Sequence, residues 1–123
     1  MAGIVHKTFA AADERRPFEE SKGELDLLQT PQGPVGQAIF EPGWRWSQHV
    51  KPIAGTDSCQ AAHVGYCLSG RMKIVMDDGE TAEVGPGEFV SIEPGHDAWV
   101  LGDEACVMLD WAGFGDYAKP SGS

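Results

Sequence analysis

The chain has 123 residues, 41% hydrophobic and 23% charged. That is the size and make-up of one globular domain, able to bury roughly two thirds of the surface its unfolded chain exposes. Nine basic against nineteen acidic side chains give a formal net charge of −10. Such a chain is repelled by phosphate backbones and anionic membranes, which makes nucleic acid a poor partner and membrane binding an unfavoured one.

Residues 1–22 hold one short apolar run followed by the charged stretch Asp13-Glu14-Arg15-Arg16, and read as an N-terminal arm packed on the domain or on a partner subunit. With polar His6 and Lys7 near its start, the arm lacks the apolar core of a signal segment. Residues 23–30 predict a strand ended by Pro31 and Pro34, and Val35 to Phe40 predict a second, stopped by Glu41-Pro42-Gly43. In the segment 44–49, Trp44, Trp46 and Gln48 alternate with Arg45, Ser47 and His49. The alternation predicts a third strand, with Arg45 and His49 on one face. Residues 50–62 lack periodicity and predict a long connection of the kind that forms pocket mouths.

His63 to Ser69 predict a strand with His63, Gly65, Cys67 and Ser69 on one side. Arg71 to Met76, the turn Asp77-Asp78-Gly79 and Glu80 to Val84 form the clearest hairpin, since Asp-Gly suits a tight primed turn. Glycine-rich turns then separate strands at 88–92, 99–101 and 105–111, and residues 113–123 read as a loose C-terminal tail. Short strands divided by sixteen glycines and eight prolines predict an all-β domain over 23–112, a sandwich or barrel. No run approaches the roughly 20 apolar residues of a membrane helix. The odd set Cys59, Cys67 and Cys106 has no metal-type pairing. Cys67 and Cys106 read as small buried hydrophobes, Cys59 as an exposed loop thiol, and the chain as a reduced, cytoplasmic protein.

Two glycine-spaced blocks carry a family pattern. Gly43 and His49 stand with five residues between them, and His63 and Gly70 with six. Gly87 precedes Glu93-Pro94-Gly95 by five residues, with His96 directly after. This pattern resembles the two motifs of the cupin family, a jelly-roll barrel or double-stranded β-helix, and within it a group of small bacterial single-domain cupins. Against the family's three-histidine, one-glutamate metal site the ligand positions differ: Lys51 stands for a histidine, His63 for the glutamate and Ala98 for the second-motif histidine.

The resemblance implies a small-molecule pocket inside the barrel and a homodimer. It makes His49, His63 and His96 the candidate ligands of one divalent metal, zinc, iron, nickel, copper or manganese, with Asp97 as an additional oxygen donor. The competing reading of the same histidines is hydrogen-bonded pocket or rim residues. Arg45, Trp99 and Tyr66 are the candidate substrate contacts, Arg45 by pairing with a carboxylate and Trp99 by packing on the substrate. The other tryptophans read as core or interface. Two functions stay open on this reading: a metal-dependent oxygenase, isomerase or decarboxylase acting on a small organic acid, and a non-catalytic ligand-binding module. A dimer with a purely structural role is the third.

Overall fold

Turn chemistry divides the chain into strands, and burial alternates along them. The computed structural model describes residues 3–112, so the tail expected at 113–123 lies outside the described residues. Nine strands run in chain order among the described residues: β1 (Glu14–Pro17), β2 (Gly23–Leu28), β3 (Val35–Phe40), β4 (His63–Ser69), β5 (Arg71–Met76), β6 (Thr81–Val84), β7 (Phe89–Ile92), β8 (His96–Leu101) and β9 (Cys106–Ala112). They form two antiparallel sheets, one ordered β1-β2-β3-β9-β4-β7 and the other β6-β5-β8. Sequence neighbours lying in different sheets, and β9 inserted between β3 and β4, give the jelly-roll connectivity. The segment 14–17 of the N-terminal arm is itself a strand, paired with β2 at the edge of the larger sheet.

Both sheets contribute to one core. Leu25, Leu27, Ala38, Phe40, Cys67, Cys106 and Met108 from the larger sheet meet Met72, Ile74, Val84, Ala98 and Val100 from the smaller. Each large apolar side chain so buried contributes about 1.5–3 kcal/mol. Phe18, Phe40 and Trp44 close one part of this core, with Phe40 and Trp44 ring centroids 4.3 Å apart. Gly70, with φ +73°, joins β4 to β5 where an added Cβ would stand 2.3 Å from the Ala105 carbonyl oxygen. Only glycine fits that crossing.

One expected strand is absent. Residues 44–49 do not run extended. After Gly43, Trp44 accepts a hydrogen bond from the Val100 N–H at 3.0 Å and Arg45 bridges to Trp99, but Trp46–His49 then close into the helical turn α1. A second turn, α2 (Lys51–Ala54), follows inside the expected loop and ends at left-handed Gly55. The alternation of residues 44–49 therefore does not place Arg45 and His49 on one strand face. A carboxylate distant in sequence decides the matter, since Asp97 Oδ1 accepts from the Ser47 N–H at 3.1 Å and from its neighbour Ala98 N–H at 2.8 Å. The side chain at the helix's own N-cap, Arg45, makes no such bond.

Candidate metal centre and cavity

Cys59, His63 and His96 meet at one point inside the fold. A donor atom from each lies within 4.8 Å of the other two. His63 opens β4 and His96 opens β8, and their rings stand edge to face with centroids 5.5 Å apart. Cys59 belongs to the loop, yet reciprocal backbone bonds pin it to the start of β8. Its N–H donates to the His96 carbonyl at 2.7 Å, and its carbonyl accepts from Gly95 at 2.7 Å and His96 at 3.3 Å. Ser58 helps hold the loop by donating its hydroxyl to Asp77 at 2.9 Å. The thiol expected to be exposed, and to have no metal-type partners, is buried at 2% exposure beside two imidazoles.

The hydrogen bonds fix how both histidines present themselves. His63 Nδ1–H donates to Asp110 Oδ2 at 2.8 Å, because an ionised carboxylate only accepts. His96 Nδ1–H donates to the Glu93 carbonyl at 2.9 Å. Each ring therefore turns its Nε2 edge away from that acceptor, and His63 Nε2 stands 3.7 Å from Cys59 Sγ. Orienting acceptors of this kind are a regular part of histidine metal sites. The electrostatics agree. Burial opposes ionisation of Cys59, but hydrogen bonds and charge from His63 and His96 outweigh it and bring the thiol down to about 6. Burial likewise opposes protonation of His63, and Asp110 with Cys59 carries it up to about 9.

A thiolate and two imidazoles, each imidazole held by an acceptor, fit a divalent metal. Three protein ligands of this kind would leave a further coordination position for water or another ligand. That position has somewhere to open. His63, His96 and Asp110 line a partly open cavity of about 50 Å³. That is room for roughly three or four waters. The rest of the lining is apolar, chiefly Trp44, Trp46, Phe40, Ile92 and Met108.

The other residues singled out in the sequence lie elsewhere. His49 is buried at 3% exposure and takes part in neither the cluster nor the cavity lining. Its Nδ1 accepts from the Arg45 N–H at 2.9 Å and its Nε2 faces Glu20 at 3.3 Å, so it ties the turn α1 to the N-terminal segment. Arg45 lies 4.2 Å over the Trp99 ring and 3.5 Å from Asp97. Neither Arg45 nor Trp99 lines the cavity. Tyr66 points outward from β4, beside exposed Leu68, Phe89 and Trp111. Ala98 does line the cavity, which shows that its strand position faces inward. His96, two residues earlier on β8, shares that inward face.

Two antiparallel sheets in jelly-roll order, enclosing a pocket with a histidine cluster at one side, give a cupin-type fold. Residues 58–112 match the Cupin_2 family model, the cupin domain. Solved structures agree on the fold. A protein of unknown function from Rhizobium leguminosarum bv. viciae 3841 is 20% identical at TM-score 0.62, over 97% of this chain and 99% of that one. The polyketide cyclase RemF from Streptomyces resistomycificus is 24% identical at TM-score 0.60, over 89% and 78% of the two chains. A cupin-superfamily sugar phosphate isomerase from Silicibacter pomeroyi is 16% identical at TM-score 0.59, over 86% and 73%. Comparison with curated proteins gives no match.

Proposed function

We propose that this protein is a metal-dependent cupin enzyme that acts on a small organic acid or carbonyl compound within its cavity. The observation that carries this reading is the meeting of Cys59, His63 and His96 beside an otherwise apolar pocket. A divalent ion held by these three residues would act as a Lewis acid, polarising a substrate oxygen. Asp110 holds the Nδ1 proton of His63 and keeps Nε2 turned to the cluster. Asp110 is also among the cavity-lining residues, so its carboxylate would offer a proton acceptor beside a substrate held there. Apolar walls around these groups exclude water and strengthen every charge interaction inside.

A polarised oxygen beside a base supports proton transfer next to a carbonyl, the chemistry of isomerases and decarboxylases, over oxygenation. The structural neighbours described as a cyclase and an isomerase are in keeping with an enzyme on this fold. No lysine or arginine is among the cavity-lining residues, so a sugar phosphate is a poor fit. Cys59 is buried and is not part of the cavity lining, which favours a ligand role over a nucleophilic one.

Metal analysis of protein purified without an affinity tag tests the proposal, with zinc, iron, nickel, copper and manganese each added back. The wild type is expected to hold about one equivalent. The double variant Cys59→Ser/His63→Ala should lose it, while His49→Ala should keep it. A folded wild type that takes up none of the five ions overturns the metal reading and leaves a non-catalytic ligand-binding module.

A further inference from the structure

The outward faces of the two sheets differ in kind. On the smaller sheet, Arg71, Lys73 and Glu83 point away from the core, as suits a face in water. The larger sheet instead presents Tyr66, Leu68, Phe89 and Trp111, each between 38% and 65% exposed. Strand alternation puts all four on one side. His63 and Gly65 of β4, Val90 and Ile92 of β7 and Asp110 of β9 line the cavity, so the residues that alternate with them point outward. Tyr66 stands opposite Phe89 in the register of β4 with β7, which makes the patch continuous across the two strands. Charge is missing from it. The chain has nine basic and nineteen acidic side chains, yet β3, β4, β7 and β9 together carry only Asp110, which borders the cavity.

We infer that two copies of this chain pair through this outer face of the larger sheet, with Tyr66, Leu68, Phe89 and Trp111 at its centre. At their exposures these four side chains present roughly 400 Å², the size of a functional patch on a monomer. Half-buried Val35, Ile39, Val64 and Val107 on the same side widen it to on the order of 600 Å², so two such faces laid together remove about 1,200 Å² from water, the lower end for a stable interface. A second copy fits the face better than another partner does. Each chain carries a net charge of −10, so two copies can meet closely only where charge is absent. A basic partner, which the acidic chain attracts elsewhere, finds no carboxylate here. A twofold axis sets apolar against apolar, and a charge-depleted patch rich in Tyr, Trp and Phe is the composition of an interface core. The N-terminal arm is not needed, since β1 pairs with β2 of its own chain at the far edge of the sheet from β7. The homodimer that the family resemblance implied thus acquires a particular surface, and no metal takes part in it.

The test is sedimentation velocity of the full chain over a range of concentrations, with and without a metal chelator. Wild type is expected to pass from 13.2 kDa to twice that mass as concentration rises, alike in both conditions. Added salt should tighten the pairing, because it screens repulsion between the acidic chains and leaves apolar contact in place. Leu68→Glu and Phe89→Glu each set an unpaired charge in the face and should weaken pairing at least about 30-fold. Thr81→Glu adds the same charge to an exposed position on the smaller sheet and should leave pairing unchanged. Circular dichroism checks that the variants fold, and a second readout needs no variant. Hydroxyl-radical labelling of wild type should show Tyr66 and Trp111 becoming protected as concentration rises, with Trp99 unchanged. A chain that stays at 13.2 kDa up to about 1 mM overturns the inference. So does a dimer indifferent to both variants, one that salt weakens or that forms only with metal, or labelling of Tyr66 and Trp111 that ignores concentration. The metal proposal is decided separately, by metal uptake, which none of these readouts uses.

Discussion

Asp110 shows how one residue governs the centre without belonging to the donor cluster. It holds His63 Nδ1 at 2.8 Å, which fixes both the tautomer and the angle of the ring. Asp110→Asn keeps the shape but replaces a charged acceptor by a neutral amide that can also donate. We expect zinc affinity to fall about 10- to 100-fold, with the fold intact by circular dichroism. Competition with a chromophoric chelator measures it, and an unchanged affinity would remove Asp110 from the site. At this scale the sequence was partly legible. His63 and His96 could be picked out because glycine spacing marks their strands, and because a two-residue shift along a strand keeps the inward face. Cys59 is hidden when the spacing is read forward from Gly43, which leads to His49. Counted back from His63, the family's pair of ligand positions one residue apart, followed by a short gap, falls on Asp57 and Cys59. No periodicity reveals that the His49 ring ties α1 to Glu20.

The element that most resisted reading is α1, where residues 44–49 alternate as a strand does but coil instead. Local sequence favours neither outcome strongly, for the turn is four residues long and isolated helical turns do not persist in water. Its cap comes from Asp97, fifty positions away in sequence, and the Arg45 guanidinium resting on Trp99 anchors the same junction. Asp97 is thus a structural acceptor in this fold, its Oδ1 occupied by two backbone N–H groups. Asp97→Ala strips the cap and should cost about 1 kcal/mol, read as a lower midpoint in urea unfolding. Asp97→Asn keeps a side-chain oxygen and should recover most of that loss. Equal destabilisation by both variants would mean that charge toward Arg45, not the cap, is what Asp97 supplies. The strands of the hairpin 71–84 were legible for the opposite reason. Asp78-Gly79 and the apolar alternation act within a few residues of each other, so no distant partner is needed.

Across the whole molecule, the shifted groups predict a pH-dependent stability for metal-free protein, to which the Cys59–His63 pair contributes little. Between about pH 6.5 and 9 the folded Cys59–His63 pair holds one proton, as thiolate and imidazolium. An unfolded chain with ordinary values of 9.0 and 6.5 also holds one, on the thiol. Equal proton counts mean no slope in that window. Asp26 differs. It lies on β2 at 3% exposure, with Oδ1 unpartnered among the described residues, Glu24 beside it and Arg15 at 3.3 Å. Burial first, and then the Glu24 carboxyl, raise Asp26 to about 7 against the pull of Arg15. Glu24 is lowered in turn by Asp26 and Arg15, so its contribution is already complete above its ordinary value of 4.5. A carboxyl raised on folding stabilises below its unfolded value near 3.8, and that contribution is lost as pH climbs through about 7. Chelator-treated protein should therefore melt a few degrees lower at pH 8 than at pH 5, at roughly 3–5 °C per kcal/mol for a chain of this size. Asp26→Asn cannot ionise, so it should melt above the wild type at pH 8 and show a flatter profile from pH 5 to 8. General self-repulsion of the acidic chain acts on both proteins alike, which leaves the difference between their melting curves as the signature of this one buried carboxyl. Parallel curves would show that Asp26 is ionised throughout and that Arg15, not burial, governs it.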